Sequence, residues 1–132
     1  MPGIDECLLE AMTLPGALGA AVVDWTSGLA LGTIGESPGG DPEAASAETA
    51  ELARMAAEQP AFLPRALAGD TGSAGTPVED VIVTTRSCYH VLRFVETAFD
   101  GSVFMHLWLD REDGNLALAR LRMRDLADRL VL

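Results

Sequence analysis

The sequence predicts an α+β sandwich, one five-stranded sheet with helices over both faces. Three observations carry this. A β-hairpin signal lies near the start, at Gly16–Gly35 (GALGAAVVDWTSGLALGTIG). The elements then run helix, two strands, helix, three strands, helix. The strands are also apolar on both sides: Tyr89, Val91 and Val95 alternate with Cys88, Leu92 and Phe94, so both faces of the sheet need cover.

Each element follows from local chemistry. Ile4, Cys7, Leu8, Ala11 and Met12 recur at helical spacing, which gives a short helix over 4–13, stopped by Pro15-Gly16. Apolar runs at Ala17–Val23 and Leu29–Ile34 flank Asp24-Trp25-Thr26-Ser27-Gly28, where Gly28 supplies the positive φ of the corner. Residues 35–40 read as a loop. Asp41-Pro42-Glu43 is a helix start: a side-chain cap, proline in the first turn, and an acid at the positive dipole end. That helix runs to about Glu58, before Gln59-Pro60, and residues 61–68 add a turn or two. Residues 69–77 (GDTGSAGTP) read as a flexible connection. Strands follow at Val78–Thr85, Cys88–Val95 and Ser102–Leu109, with Asp100-Gly101 as a two-residue turn between the last two. Leu116, Ala119, Met123, Leu126 and Leu130 mark a closing amphipathic helix.

Composition excludes several functions. The 132 residues read as one domain, with a core of Ala, Val and Leu, since 48% are hydrophobic and only 5% aromatic. Net charge is −11, and all nine basic residues are Arg, which argues against nucleic acid and anionic membrane surfaces. Residues 1–60 hold ten acids and one base, Arg54, whereas 111–132 hold four acids and five Arg, a distribution suited to a protein partner. No apolar run is long enough to span a bilayer, the acidic start is unlike a signal peptide, and two cysteines make no disulfide framework. The expected compartment is the cytoplasm.

No catalytic constellation emerges. A phosphate-binding P-loop needs a lysine, and the chain has none. Neither a nucleophile elbow nor a zinc-protease motif occurs, and no cofactor or metal is implied. His90 shares a strand face with Cys88, which invites a metal test. If Asp100-Gly101 centres the hairpin, His106 lies opposite Val95 and the two histidines fall on opposite faces. A one-residue shift restores the face but leaves them about 13 Å apart at ~3.3 Å per residue, too far for a ligand pair. They read as hydrogen-bonded sheet histidines.

The long helix has charged and uncharged arcs. Ala45, Thr49, Leu52 and Ala56 share a face, beside a strip of Ser46, Ala50, Ala53 and Ala57; Glu43, Glu51, Arg54 and Glu58 lie opposite, with Glu48 and Met55 at their edge. The small strip suits a helix–helix contact, though alanine is also simply a good helix former. Trp25, at the hairpin tip, suits an interface anchor or a side chain folded onto a neighbouring loop.

In its order of elements the chain resembles the small, single-domain bacterial members of the roadblock/dynein light chain family, over nearly all 132 residues. The matching segments are LPGALGAAVVDWTSGLALG, VEDVIVTTRSCYHVLRFVE and LDREDGNLALARLRMRDLADRL. Pro60, Pro64 and the GDTGSAGT insert depart from the pattern. The resemblance implies a profilin-like fold with an antiparallel sheet, the first and last helices on one face and the middle helix on the other. It implies a homodimer through the edge strand, at Val81, Ile82 and Val83, and the middle helix, where Ala50, Ala53 and Ala57 form the small strip. It further implies a non-catalytic partner of a Ras-like small GTPase; in some bacterial relatives the dimer accelerates the partner's GTP hydrolysis. The expected contact surface is Glu48, Glu51, Arg54, Met55 and Glu58, with Trp25 as a second contact. The alternative is a sensory domain holding a small molecule between sheet and middle helix, which needs a cavity of ~300 Å³ or more.

Overall fold

The structure is a computed structural model and describes residues 3–62, 77–96 and 102–131. The order is α1 (Ile4–Ala11), β1 (Ala17–Asp24), β2 (Leu29–Gly35), α2 (Pro42–Glu58), β3 (Asp80–Thr84), β4 (Cys88–Phe94), β5 (Val103–Asp110) and α3 (Leu116–Arg129). The strands form one antiparallel sheet in the order β2-β1-β5-β4-β3, so β2 and β3 are its edges. This is the predicted sandwich. A short 3-10 turn at Pro38–Gly40 is an addition, and one at Pro60–Phe62 overlaps the start of the turn or two expected over 61–68. The expected flexible connection at 69–76, the helical residues expected at 63–68 and the Asp100-Gly101 turn lie outside the described residues.

Turns and caps form as their residues dictate. At the hairpin, Gly28 has φ 78° and donates its N–H to the Asp24 carbonyl at 2.8 Å. The Asp24 carboxylate accepts from the Thr26 N–H at 3.0 Å and hydroxyl at 2.7 Å. Asp41 caps α2 by accepting from the N–H groups of Glu43 and Ala44, and Asn115 caps α3 by accepting from Leu118.

Gly16 combines two constraints: φ is +77°, and a Cβ there would lie 2.6 Å from the Gly114 backbone nitrogen. Gly16→Ala should therefore destabilise the chain by about 2 kcal/mol, through strain and displaced backbone. Urea unfolding would show this as a lower midpoint.

Alternation along the strands divides the core into two layers. On one face Val22, Val91, Met105, Leu107 and Leu109 pack with Cys7, Leu8 and Ala11 of α1 and Ala119, Met123 and Leu126 of α3. On the other, Val23, Leu92, Phe94 and Phe104 pack with Ala50 and Ala53 of α2. Small residues on α2 let its backbone approach the sheet closely. The small strip is therefore directed inward: Ala50 and Ala53 are buried in the chain's own core, and Ala57 packs beside them. This corrects the expectation that Ala50 and Ala53 offer a surface to a second copy.

The register of β4 and β5 brings a second correction. His106 is opposite Leu92, not Val95, and Phe94 is opposite Phe104. Val95 donates its N–H to the Val103 carbonyl at 2.9 Å, which carries the same register on to that pair. The register differs from the expected one by an odd number of positions, which moves His106 to the other face.

Candidate partner-binding surface

Helix α2 presents a charged, solvent-facing row. Glu48, Glu51 and Glu58 are exposed, Met55 is exposed, and Arg54 is half-buried, its guanidinium 2.9 Å from Glu51. An i, i+3 pair in water adds little stability, so these charges are available to an approaching molecule. The structure thus brings together the five residues expected on this face.

Beside the row lies an apolar groove of about 540 Å³ between the C-terminal half of α2 and the edge strand β3. Leu52, Met55, Ala56 and Phe62 line one side, Val78 and Val81 the other. Met55 and Phe62 are both more than half exposed, which is unusual for large apolar side chains placed together. Val81, Ile82 and Val83 are half-buried on β3, which has β4 on one side and no strand on the other among the described residues. The expected edge strand and the expected helix do meet at one surface, but through Leu52, Met55 and Ala56.

Trp25 is not a projecting anchor. It is half-buried against the core layer beneath α2, and its indole Nε1 is buried with no hydrogen-bond partner among the described residues.

Sequence reasoning missed a stacked histidine pair on the α2 face of the sheet. His90 Nδ1 lies 3.0 Å from His106 Nε2, the ring centroids are 5.2 Å apart, and His90 also stacks on Trp108. Burial, and then the neighbouring His90, push His106 down to about 4; burial also lowers His90. Both rings are consequently neutral at pH 7, one donating to the bare nitrogen of the other. The Phe94–Phe104 cross-strand pair was the available signal, because aligning those rings sets the register that joins the histidines. Among the described residues, no three His, Cys, Asp or Glu side chains are grouped to hold a metal ion.

Beneath the first half of α2, the space lined by Ser46, Thr49, His106 and Trp108 is about 20 Å³. That is room for about one water molecule.

The fold has solved counterparts. Myxococcus xanthus MglB superposes with a TM-score of 0.70 at 17% identity, over 95% of this chain and 82% of that one. A Roadblock/LC7 domain from Streptomyces avermitilis gives 0.62 at 20% identity, over 96% and 92%. The chain has a roadblock/LC7-type fold. The gliding protein MglB from Thermus thermophilus matches at 0.67 and 16% identity, over 95% of this chain and 83% of its own. No family model matches the sequence, and no curated protein matches it either. At these identities the roadblock likeness is one of fold. Among the described residues, no helix is long and apolar enough to cross a membrane.

Proposed function

We propose that this chain is a cytoplasmic, non-catalytic homodimer that binds a Ras-like small GTPase and regulates or scaffolds it. The observation that carries this reading is the pairing, on one roadblock-type fold, of an exposed acidic row on α2 with an apolar groove against an open sheet edge. Two copies meeting at β3 and along α2 would cover that groove and bring two acidic rows side by side. The lack of lysine, and so of a P-loop, suits a partner of a GTPase better than a GTPase. A sensory role is less well supported, since the space beneath the first half of α2 is about 20 Å³ and the 540 Å³ groove between α2 and β3 is an open surface groove, which the dimer would cover.

Two measurements test the reading in separate steps. Sedimentation at tens of micromolar should show a dimer, and Ala56→Glu with Phe62→Glu should give a folded monomer. An unchanged dimer would move the interface off the groove. Immobilised protein should then capture a small GTPase from the native cell, identified by mass spectrometry, while the isolated chain neither binds nor hydrolyses GTP. Glu51→Arg with Glu58→Arg should leave stability within ~0.5 kcal/mol and weaken that capture about tenfold, mainly through slower association. Equal binding by the double variant at low salt would remove α2 from the contact.

A further inference from the structure

The far edge of the sheet is a second open surface. Strand β2 pairs with β1 on one side and has no strand on the other among the described residues. Its seven residues, LALGTIG, contain neither a charge nor a proline, two of the usual protections of a free edge. A bulge leaves Leu31 without a partner on β1, and Leu29 and Leu31 are 66% and 48% exposed. Together with Pro42, Glu43, Ser46 and Ala47 of α2, they line a groove of about 580 Å³. An unpaired backbone edge beside a groove is the geometry that accepts an added strand.

Charge selects the occupant. Helix α1 packs on one side of β2, where a Cβ on Gly32 would lie 2.6 Å from the Ile4 Cγ2, and α2 packs on the other. Both flanking helices are acidic: Asp5 and Glu6 are exposed on α1, and Glu43 lines the groove. Residues 1–60 contain one base, Arg54, which is already paired with Glu51; Glu10, further along α1, is taken by Arg129. A strand laid along β2 would find Glu43 on its α2 side and Leu29 and Leu31 beside it.

We infer that the free edge of β2, with the first turns of α2, docks an extended peptide segment of alternating basic and apolar side chains. The segment adds a sixth strand to the sheet, its backbone pairing with β2; alternation turns its cations to the α2 face, toward Glu43, and its apolar side chains to the α1 face. This surface is separate from the β3 groove, so its test is independent of the GTPase reading.

The probe is an alternating Arg-Val octapeptide, followed by amide hydrogen exchange on the intact protein. Binding should slow exchange within 29–35 at least tenfold. Leu31→Arg and Glu43→Arg, both at exposed positions, should each weaken binding tenfold or more while leaving the melting temperature near that of the parent. A Glu-Val octapeptide and an Arg-Val peptide N-methylated at alternate residues should both fail to bind. The inference is overturned if the Arg-Val peptide does not bind, if either control binds equally, or if protection appears at 80–84 instead. It is also overturned if Leu31→Arg lowers the oligomeric mass of the free protein, because the occupant would then be a second copy of this chain.

Discussion

Ala53→Glu should abolish folding, whereas Ala56→Glu, three residues along the same helix, should leave a folded chain. Ala53 is fully buried among Val23, Leu92, Phe94 and Phe104, an apolar layer. The larger side chain overpacks that layer, at about 1–3 kcal/mol. An unpaired buried charge adds several kcal/mol more after relaxation. A domain is stable by only about 5–15 kcal/mol in total, so the sum removes most or all of it. Ala53→Gly is the control: it costs about 1 kcal/mol of helix propensity and keeps the fold. Circular dichroism and urea unfolding on the three variants decide the matter. A folded but monomeric Ala53→Glu protein would return the small strip to the dimer surface and contradict the packing described above.

The inward turn of this strip shows what one sequence can carry. Helical spacing places Ala50, Ala53 and Ala57 on one side of α2 correctly, and Asp41, Pro42 and Glu58 bound that helix as expected. What spacing cannot state is which uncharged arc meets the sheet. Bulk at Leu52 suggests that its arc is the inner one, yet the sheet presents Phe94 and Phe104, and large rings need small partners opposite. Leu52 is left at the edge of the groove, next to the exposed Met55. Size complementarity between elements decides this, and it becomes visible only when both are in place.

The same limit explains the histidines. Hairpin β1–β2 is legible because its corner is short and closes on Gly28. The β4–β5 ladder, with Phe94 opposite Phe104, does not centre on Asp100-Gly101. Taking Asp100-Gly101 as the corner moves the register by an odd number of positions and separates two rings that are in hydrogen-bond contact. The strands themselves are placed to within a residue or two at each end. Charge placement on α2 is legible too, because a charged side chain in a mostly apolar fold has little choice but solvent.

Stability should fall as the solution is acidified from pH 6.5 to 4, by about 3 kcal/mol from His106 alone. An unfolded histidine titrates near 6.5, whereas burial and the facing His90 hold His106 at about 4 in the folded chain. Between those values the unfolded chain binds the proton and the folded chain does not, so acid drives unfolding; below about pH 4 both states bind it and this contribution ends. His90, lowered by burial, acts in the same direction. Asp24 acts in another window. Burial raises its carboxyl, but hydrogen bonds from Thr26, Ser102 and Ser27 outweigh that and hold it below the ordinary aspartate range, so its stabilisation is lost only at lower pH. Urea midpoints measured from pH 7 to 4 should therefore decline through the histidine range before the carboxylates titrate. His106→Gln keeps a polar group that can donate to or accept from His90, and removes the buried base. It should flatten most of that decline, at some cost in stability at pH 7. An unaltered slope in this variant would show that the acid sensitivity arises elsewhere than at His106.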